Sequence, residues 1–424
     1  MSTSSAWNRN ESTSRGIYYG WWIVVAAFLN LFFTTGVIYY GLPVFYASLV
    51  TSLGFSRAHV TQGFLLGFIF VGLPFGYLSG LLIDRVGARR VILCGVGFVG
   101  VPLILMGWMT HFWQYQVLCL FEVLGYVLAG PIANQVLIAR WFRLKRGRAM
   151  GIAYLGLGLG GFVAPPIENM LIRSLGWRSS FEVLGAAILI VLFPIGVFLT
   201  RSSPEEMQLL PDGATPDVDA VSAAGVTRSF GVGDAVKTRN FWLLLLGSAL
   251  VIGAINTVIQ HLILHLTDVG YSRGVAAARL SALLGASLAG RVLVGYVVDR
   301  FQKKNVMAFF YVVIGASIPL LLFATHAQVV WVFVFVFGFA MGADYMLIPL
   351  VTAECFGVGS LGKLLAVLTM GYSVGQWVAP WVAGRIFDAQ HSYDLAWKMM
   401  GVAGVLGGLA VYSVRMPRSI TTPS

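Results

Sequence analysis

The chain has 424 residues, of which 58% are hydrophobic and 11% are charged, and its formal net charge is +11. A soluble globular domain carries a charge on about a quarter of its residues. The low charge content and the mean hydropathy of +0.82 therefore exclude a soluble protein and indicate a helical protein that crosses the bilayer several times.

Twelve segments are apolar over the roughly 20 residues that a spanning helix requires. In chain order they are 18–48, 57–84, 90–110, 113–140, 149–171, 178–200, 240–266, 275–299, 305–325, 328–355, 364–387 and 396–415. The predicted fold class is therefore an all-α membrane protein with twelve transmembrane helices.

The basic residues concentrate in alternate loops, such as "DRVGARR" (84–90) and "RWFRLKRGR" (140–148), whereas an opposite loop, "DAQHSYD" (388–394), carries mixed charge. Cytoplasmic loops are enriched in Lys and Arg, so this pattern predicts that both termini are cytoplasmic. It also indicates that the positive charge sets the membrane orientation and interacts with anionic lipid headgroups, and does not bind nucleic acid. We expect a multi-pass protein of the cell (inner) membrane that functions as a monomer.

The cysteines and histidines predict neither a disulfide nor a metal site. Cys94, Cys119 and Cys355 all fall inside predicted spans. His261 and His265 are four residues apart at the outer end of a span without a third ligand, so we expect solvated or headgroup histidines and no cofactor. The first apolar segment is too long for a signal-peptide core and lacks a cleavage motif, which predicts an uncleaved first helix.

A polar stretch rich in Pro, Gly, Ser and Asp separates the first six segments from the last six. Its composition is typical of a linker. The predicted organisation is a polar N-terminal segment, a six-helix half, a cytoplasmic linker, a second six-helix half and a cytoplasmic tail: 1–17, 18–200, 201–239, 240–415 and 416–424.

The two halves share a motif after their second helix, "GLLIDRVGARR" (80–90) and "GYVVDRFQKK" (295–304). The glycine admits a neighbouring helix, and the Asp and Arg pair or bind at the interface. The motif resembles the signature loop of the major facilitator superfamily. That resemblance implies a conformational gate without substrate contact, formed by Gly80, Asp84, Arg85, Gly295, Asp299 and Arg300. It also implies the two-half fold of that superfamily along the whole chain, with a substrate site near midplane that rocking exposes alternately.

Arg291 lies within the apolar stretch "GASLAGRVLVGYVVDRF" (285–301), eight residues before Asp299 and thus about 12 Å along the helix. Gly290 and Gly295 leave room beside it. One interpretation is that Arg291 binds a substrate carboxylate through two parallel hydrogen bonds. The alternative is that it pairs with a buried acid. Because a dianion would match two deep cations, a single one favours a monoanion.

Two acids also lie within apolar segments. Asp344 is near the middle of the tenth segment and Glu122 is in the outer half of the fourth. A carboxyl group removed from water binds a proton more readily, so both are candidates for proton coupling. The alternative is that either acid neutralises Arg291 or caps a helix bend.

Other polar side chains in the apolar segments are candidates for lining a substrate cavity: Tyr39, Tyr40, Tyr126, Tyr154, Tyr345, Tyr372, Gln376, Asn30 and Asn256. Tyrosine hydroxyls can bond a carboxylate while their rings exclude water. The alternatives are an interfacial belt for the tyrosines and hydrogen bonds between helices for the asparagines.

Four stretches resemble the monocarboxylate porter branch and the related bacterial oxalate/formate exchangers: "YYGWWIV" (18–24), "RWFRLKRGRAMGIAYLGLGLGG" (140–161), "GW" (176–177) and "GRVLVGYVVDR" (290–300). The resemblance implies transport of small carboxylates such as lactate or pyruvate, often with a proton. It also implies that Arg291 binds the carboxylate.

The chain departs from these relatives at three positions. Animal monocarboxylate porters have an aspartate where this chain has Ser287 and a lysine in the first helix, whose nearest match is Tyr40. The oxalate exchangers have a lysine in the eleventh helix, which is absent here. The residues that relay the proton in the animal porters are therefore not present in this chain. Asp344 is our candidate for the proton-coupling residue in their place.

The predicted function is a proton-coupled transporter of small monocarboxylates that works by alternating access. The alternative within this class is a carboxylate/carboxylate exchanger without net proton movement. No nucleophile–base pair, metal cluster or cofactor motif supports a membrane enzyme. A carboxylate sensor would need a signalling domain, which neither the termini nor the linker offers.

Overall fold

The computed structural model describes residues 18–142, 145–212, 231–297, 300–342, 344–357 and 361–415, and none of these residues forms a strand. The α-helices are α1 (Gly20–Leu31), α2 (Pro43–Leu53), α3 (Arg57–Gly67), α4 (Leu73–Val86), α5 (Ala88–Met106), α6 (Phe112–Ala129), α7 (Pro131–Trp141), α8 (Arg146–Pro194), α9 (Val232–Ala235), α10 (Arg239–Asp268), α11 (Arg273–Val297), α12 (Lys303–Ser317), α13 (Ala327–Gly342), α14 (Asp344–Phe356), α15 (Leu361–Gln390) and α16 (Asp394–Tyr412).

Short sections of other helix types extend several of these helices. They are π-helical at Phe32–Tyr39, Phe68–Gly72 and Ile195–Leu199, and 3₁₀-helical at Pro204–Met207 and Ile318–Phe323. The first predicted segment, 18–48, therefore continues to Leu53 through a π-helical section that hydropathy does not reveal.

Nine helical stretches among the described residues are long and apolar enough to cross a bilayer. Several of their bounds follow the predicted segments; the predicted 240–266, for example, is Arg239–Asp268. Others differ, since Arg148–Leu199 covers both 149–171 and 178–200, and Arg57–Gly76 ends before the predicted 84. An all-helical membrane architecture is thus confirmed, while the number twelve and the cytoplasmic termini stay predictions. Residues 1–17, 213–230 and 416–424 of the predicted termini and linker lie outside the described residues.

Gly176 divides α8 into a first arm (146–175) and a second arm (177–194). Its φ of 79° lies in the left-handed region that glycine adopts without strain. The second arm packs on α5 through Gly185 and Gly100. The first arm packs on α1 and the π-helical section, where a Cβ atom at Gly36 would lie 2.5 Å from Cα of Gly160. Glycines therefore set how closely these helices approach.

Among the described residues, the N-terminal part (18–212) packs on the C-terminal part (231–415) through α3 with α15, the first arm of α8 with α11, and α2 with α10. The π-helical section after α1 also meets α10 and α15. Close backbone contact again depends on glycine, since a Cβ atom at Gly384 would lie 2.8 Å from Cα of Ala58. The boundary between the two parts is where a site formed by both must lie.

The two parts are held together at the end of the bundle opposite to Tyr18 and Arg415. There Arg57 forms an ion pair with Asp268, and Asp388 accepts hydrogen bonds from the backbone N–H groups of Arg57 and Ala58 at 3.0 and 3.1 Å. We call this the closed end. At the opposite end, the described contacts stay within one part, as between Lys303 and Glu354 at 2.7 Å.

The histidine prediction was wrong. His261 and His265 are 0% and 7% exposed. The ring of His261 bonds the Tyr393 hydroxyl and the Pro380 carbonyl, both at 2.9 Å, and His265 bonds the Leu321 carbonyl at 3.0 Å. The reason is that α10 continues to Asp268, so α15 and α16 cover both rings. No group of His, Cys, Asp and Glu among the described residues could hold a metal ion.

Only part of the predicted gate falls within the described residues. Asp299, the side chain of Asp84 and the surroundings of Gly80 and Gly295 lie outside the described residues. The two remaining gate residues, Arg85 and Arg300, are exposed. Among the described residues of the first copy, Arg89 makes hydrogen bonds to backbone carbonyls. Its Nε donates to the Gly196 carbonyl at 3.2 Å and its Nη2 to that of Val197. These bonds satisfy carbonyls at the end of the helix that follows Gly176.

Candidate functional site

The side chain of Arg291 extends from α11 to the first arm of α8, across the boundary between the two parts. A Cβ atom at Gly158 would lie 3.7 Å from Nη1 of Arg291, which is an ordinary van der Waals distance, so the guanidinium lies beside the first arm. The Tyr40 hydroxyl lies within reach of the same group. Arg291 is half-buried, and its Nε is buried without a hydrogen-bond partner. The guanidinium therefore has capacity for another acceptor.

Asp344 lies near Arg291 without pairing with it. Its carboxyl group is 1% exposed and accepts a hydrogen bond from the Tyr311 hydroxyl at 2.6 Å. That hydroxyl lies 3.4 Å from Oγ of Ser248. Asp344 and Arg291 are close enough to interact through their charges, but the ion pairs among the described residues do not include them. Asp344 is thus bonded to α12 and has no direct ion pair among the described residues.

Glu122 is buried inside the N-terminal part. It is 3% exposed, and neither carboxyl oxygen has a hydrogen-bond partner. Its neighbours Cys119 and Val123 pack against Gly63 and Gly67 of α3. No hydrogen bond of Glu122 therefore supports the alternative that it caps a helix bend.

Tyr39 joins several predicted cavity residues from both parts. Its hydroxyl accepts a hydrogen bond from Nε2 of Gln376 at 2.9 Å and donates one to Oδ1 of Asn256. Its ring stacks on Tyr126 at 6.1 Å and meets the edge of Trp377 at 5.8 Å. We call Tyr39, Asn256 and Gln376 the amide–tyrosine cluster. It links the π-helical section after α1 to α10 and α15.

The remaining tyrosines have more local contacts. Tyr154 accepts a hydrogen bond from Gln135 and lies close enough to Arg291 to interact with its charge. The Tyr372 hydroxyl lies 3.1 Å from Oγ1 of Thr369. The side chain of Tyr345 lies outside the described residues.

Asn30 stands apart from these groups. Its Nδ2 donates to the Ala129 carbonyl at 2.7 Å and to Oδ1 of Asn134 at 3.3 Å. All three residues belong to the N-terminal part, so Asn30 forms the hydrogen bonds between helices that were its alternative interpretation.

The sequence analysis did not single out Glu168. This acid in α8 is 1% exposed, and its Oε2 is buried without a partner. It is the single charged residue in the predicted segment 149–171. That signal could have identified it, since ionisable residues within a span are unusual.

Sequence comparison shows the family. The model of the Major Facilitator Superfamily matches residues 23–343 and 267–424. The MFS transporter asaE of Aspergillus flavus is 27% identical over 345 residues, which are 81% of this chain and 74% of that protein. Monocarboxylate transporter 12-B of Danio rerio is 26% identical over 369 residues, which are 81% of this chain and 76% of that protein.

Structural comparison supports the same fold. The crystal structure of a bacterial homolog of the human lysosomal transporter Spinster, inward-facing and unoccupied, matches with a TM-score of 0.67. The match covers 94% of this chain and 96% of that chain at 17% identity, so it bears on the fold alone. The family model therefore shows that the chain belongs to the Major Facilitator Superfamily. With its transporter relatives, it identifies a multi-pass membrane transporter of small molecules, similar to the monocarboxylate branch, and not an enzyme.

Proposed function

We propose that the chain is a proton-coupled secondary transporter of small monocarboxylates of the L-lactate or pyruvate type. The observation that carries this proposal is the Arg291 guanidinium at the boundary between the two parts, with Nε unpartnered. A guanidinium offers a carboxylate two parallel, charge-assisted hydrogen bonds. The name of the Danio rerio relative supports the same substrate class.

A single cation at the site favours one carboxylate per substrate. Around Arg291 the described neighbours are Tyr40, Tyr154 and Asp344. A second carboxylate would therefore meet hydroxyl groups or another acid. Arg279, twelve residues earlier in α11, has its guanidinium 3.7 Å from the centre of the Trp331 ring and lies about 18 Å away along the helix.

Asp344 provides a route by which substrate and proton binding are coupled. While Arg291 is unoccupied, its positive charge favours the ionised form of Asp344. A bound carboxylate neutralises that charge, and Asp344 then takes up a proton more readily. Substrate and proton therefore bind together, which is the requirement for symport.

The asymmetry of the contacts between the two ends supports the proposed alternating access. The Arg57 contacts hold the parts together at the closed end, and we propose that the substrate reaches Arg291 from the end that carries the termini. In this proposal two six-helix halves rock about the site. The termini are cytoplasmic, the membrane is the cell (inner) membrane, and one chain suffices.

The test is uptake of radiolabelled L-lactate into proteoliposomes with and without an inside-alkaline pH gradient. The gradient should drive uptake in the parent protein, and Arg291→Ala should abolish it. Arg279→Ala is the matched control, because it removes the same side chain from the same helix away from the site. Undiminished uptake by Arg291→Ala would overturn the proposed role of Arg291.

Asp344→Asn separates symport from exchange. We expect it to retain lactate/lactate exchange and to lose the response to the pH gradient, while the peripheral Asp234→Asn retains both. If the parent protein ignores the gradient and requires carboxylate inside the vesicles, the chain is a carboxylate exchanger.

A further inference from the structure

We propose that Glu168 is a proton-binding site whose protonation is coupled to closure of the two parts at the closed end. The inference extends the proposed function and rests on its alternating access, but it concerns a residue about 15 Å along the helix from Gly158, where Arg291 lies. Its ligand is a proton that is exchanged with water from the closed end.

The first observation is the burial of the carboxyl group. Glu168 is 1% exposed, and Oε2 has no hydrogen-bond partner. A Cβ atom at Gly41, which lies between the π-helical section and α2, would overlap both carboxyl oxygens of Glu168. The glycine thus creates the space that the carboxyl group fills.

The second observation is the position of Glu168 on the face of the arm that meets the other part. Gly161 lies seven residues earlier and hence on the same face. A Cβ atom at Gly161 would lie 2.9 Å from the ring of Tyr40 and 3.3 Å from Cδ1 of Leu284 in α11. Asn169, the next residue, has its Nδ2 3.3 Å from the position of a Cβ atom at Gly274 in α11. Glu168 therefore lies where α2, the first arm and α11 converge.

The arm is also tied to α11 just before Glu168. Pro166 has no N–H group to bond the carbonyl of Phe162. Ser281 of α11 donates its hydroxyl to that carbonyl instead. This bond crosses the boundary between the parts, so the surroundings of Glu168 depend on the contact that must open during transport.

No charged neighbour among the described residues is close enough to act on the Glu168 carboxyl group. The titratable and charged groups of the adjoining elements have other contacts. Tyr40 lies beside Arg291, Tyr46 donates to Gln260 at 2.7 Å, Arg273 donates to Ser48 at 3.2 Å, Arg279 lies over Trp331, and Arg173 lies beside Gly274.

A buried carboxylate without a counter-charge or hydrogen-bond donors is costly, whereas the neutral acid is tolerated. Glu168 therefore holds a proton while the closed end is shut. When α11 moves away and water reaches the carboxyl group, the proton leaves to water and the carboxylate forms. Protonation favours the shut state, and ionisation favours the open one.

The experiment measures the conformation without any substrate. Spin labels are attached to cysteines at Ser52 and Gln390, which are exposed on opposite parts at the closed end. Exposed Cys94 is replaced by serine, and the buried Cys119 and Cys355 are kept. Double electron–electron resonance then gives the distance distribution at mildly acidic and mildly alkaline pH in nanodiscs.

In the parent protein we expect the fraction of molecules with a long distance between the two spin labels, which is the open state, to rise with pH. Glu168→Gln, which imitates the protonated form, should keep the short distance at both pH values. Glu182→Gln, a peripheral carboxyl that accepts from Trp108 at 2.5 Å, should respond like the parent. A parent without a pH response, or a Glu168→Gln variant that responds like the parent, would overturn the proposal.

Glu168→Asp provides a second test if Glu168→Gln fails to fold. It retains a titratable group, so the pH response should persist with a shifted midpoint; an unchanged midpoint would count against the proposal. The readout is independent of the proposed substrate. A Glu168-dependent response together with absent lactate uptake would refute the proposed function alone, and normal uptake without the response would refute this inference alone.

Discussion

Arg57 and Asp268 form a bidentate ion pair, with Nη1 and Nη2 of the arginine 2.6 and 2.5 Å from the two carboxyl oxygens. Arg57 is the first residue of α3 and Asp268 is the last residue of α10, so the pair joins the two parts at the closed end. The same guanidinium donates to the Tyr393 hydroxyl at 3.0 Å and lies 3.9 Å from the centre of the Phe387 ring. Opening this end requires all these contacts to separate.

Asp268→Asn should therefore increase the open population at the closed end. The Asp268 side chain is 35% exposed, and solvent screening limits the pair to about 1 kcal/mol, or roughly a fivefold change in the ratio of states. The spin-label distance between positions 52 and 390 measures that ratio. Glu354→Gln is the control, because its ion pair with Lys303 lies at the other end; an equal response there would show that the effect is not specific to Arg57.

Tyr39→Phe should destabilise the protein and weaken the junction between the two parts. The change removes the hydroxyl to which Gln376 donates and which bonds Asn256, and leaves buried amide groups unpaired at a cost of about 1–3 kcal/mol. Thermal unfolding in detergent measures the loss. Tyr19→Phe removes one hydroxyl bond, to the Leu199 carbonyl, within the N-terminal part and is expected to change stability less. Equal losses would contradict a special role for the cluster.

Arg291→Lys should raise the KM for L-lactate by about tenfold or more while the protein remains folded. Lysine keeps the positive charge but offers a point charge in place of the planar fork that binds both carboxylate oxygens. Initial uptake rates at varied lactate concentration provide the measurement. An unchanged KM would mean that charge alone, and not bidentate geometry, holds the substrate.

Gly160→Ala should reduce stability, because the added Cβ atom would lie 2.7 Å from Cα of Gly36 and nearer still to the Phe32 carbonyl. Overpacking of this kind costs about 1–3 kcal/mol. Gly151→Ala tests the same substitution on the same arm, where nothing lies within 4 Å of the new atom. That control should be neutral or slightly stabilising, since alanine favours helix by about 1 kcal/mol. Equal destabilisation by both changes would exclude close packing as the cause.

The helices and the candidate cation could be predicted from the sequence because the bilayer imposes simple rules. A segment in lipid must satisfy its backbone hydrogen bonds internally, so apolar length alone places the helices closely. Arg291 was recognisable as a charge within such a segment. Glu168 carried the same signal, but a single acid in an apolar segment gives no indication of which helix faces it.

The amide–tyrosine cluster required the tertiary structure. Asn256 and Gln376 are far from Tyr39 in the chain, and their meeting depends on the rotation of α10 and α15 about their own axes. That rotation is set by close contacts such as Gly253 of α10 against Gly375 of α15, where a Cβ atom at Gly253 would lie 2.9 Å from the Gly375 carbonyl oxygen. Hydropathy describes how apolar a segment is and gives no information about such contacts between helices.

By itself, the sequence determined that this protein is a helical membrane transporter of the Major Facilitator Superfamily, because lipid selects apolar helices and the motifs identify the family. The tertiary structure decided which buried groups meet. His261 is enclosed by Tyr393 and Pro380, Asp344 bonds Tyr311 and not Arg291, and Glu168 lies unpaired against Gly41. The physical reason is that burial in lipid depends on composition, whereas pairing within the bundle depends on how helices distant in the chain are rotated and spaced.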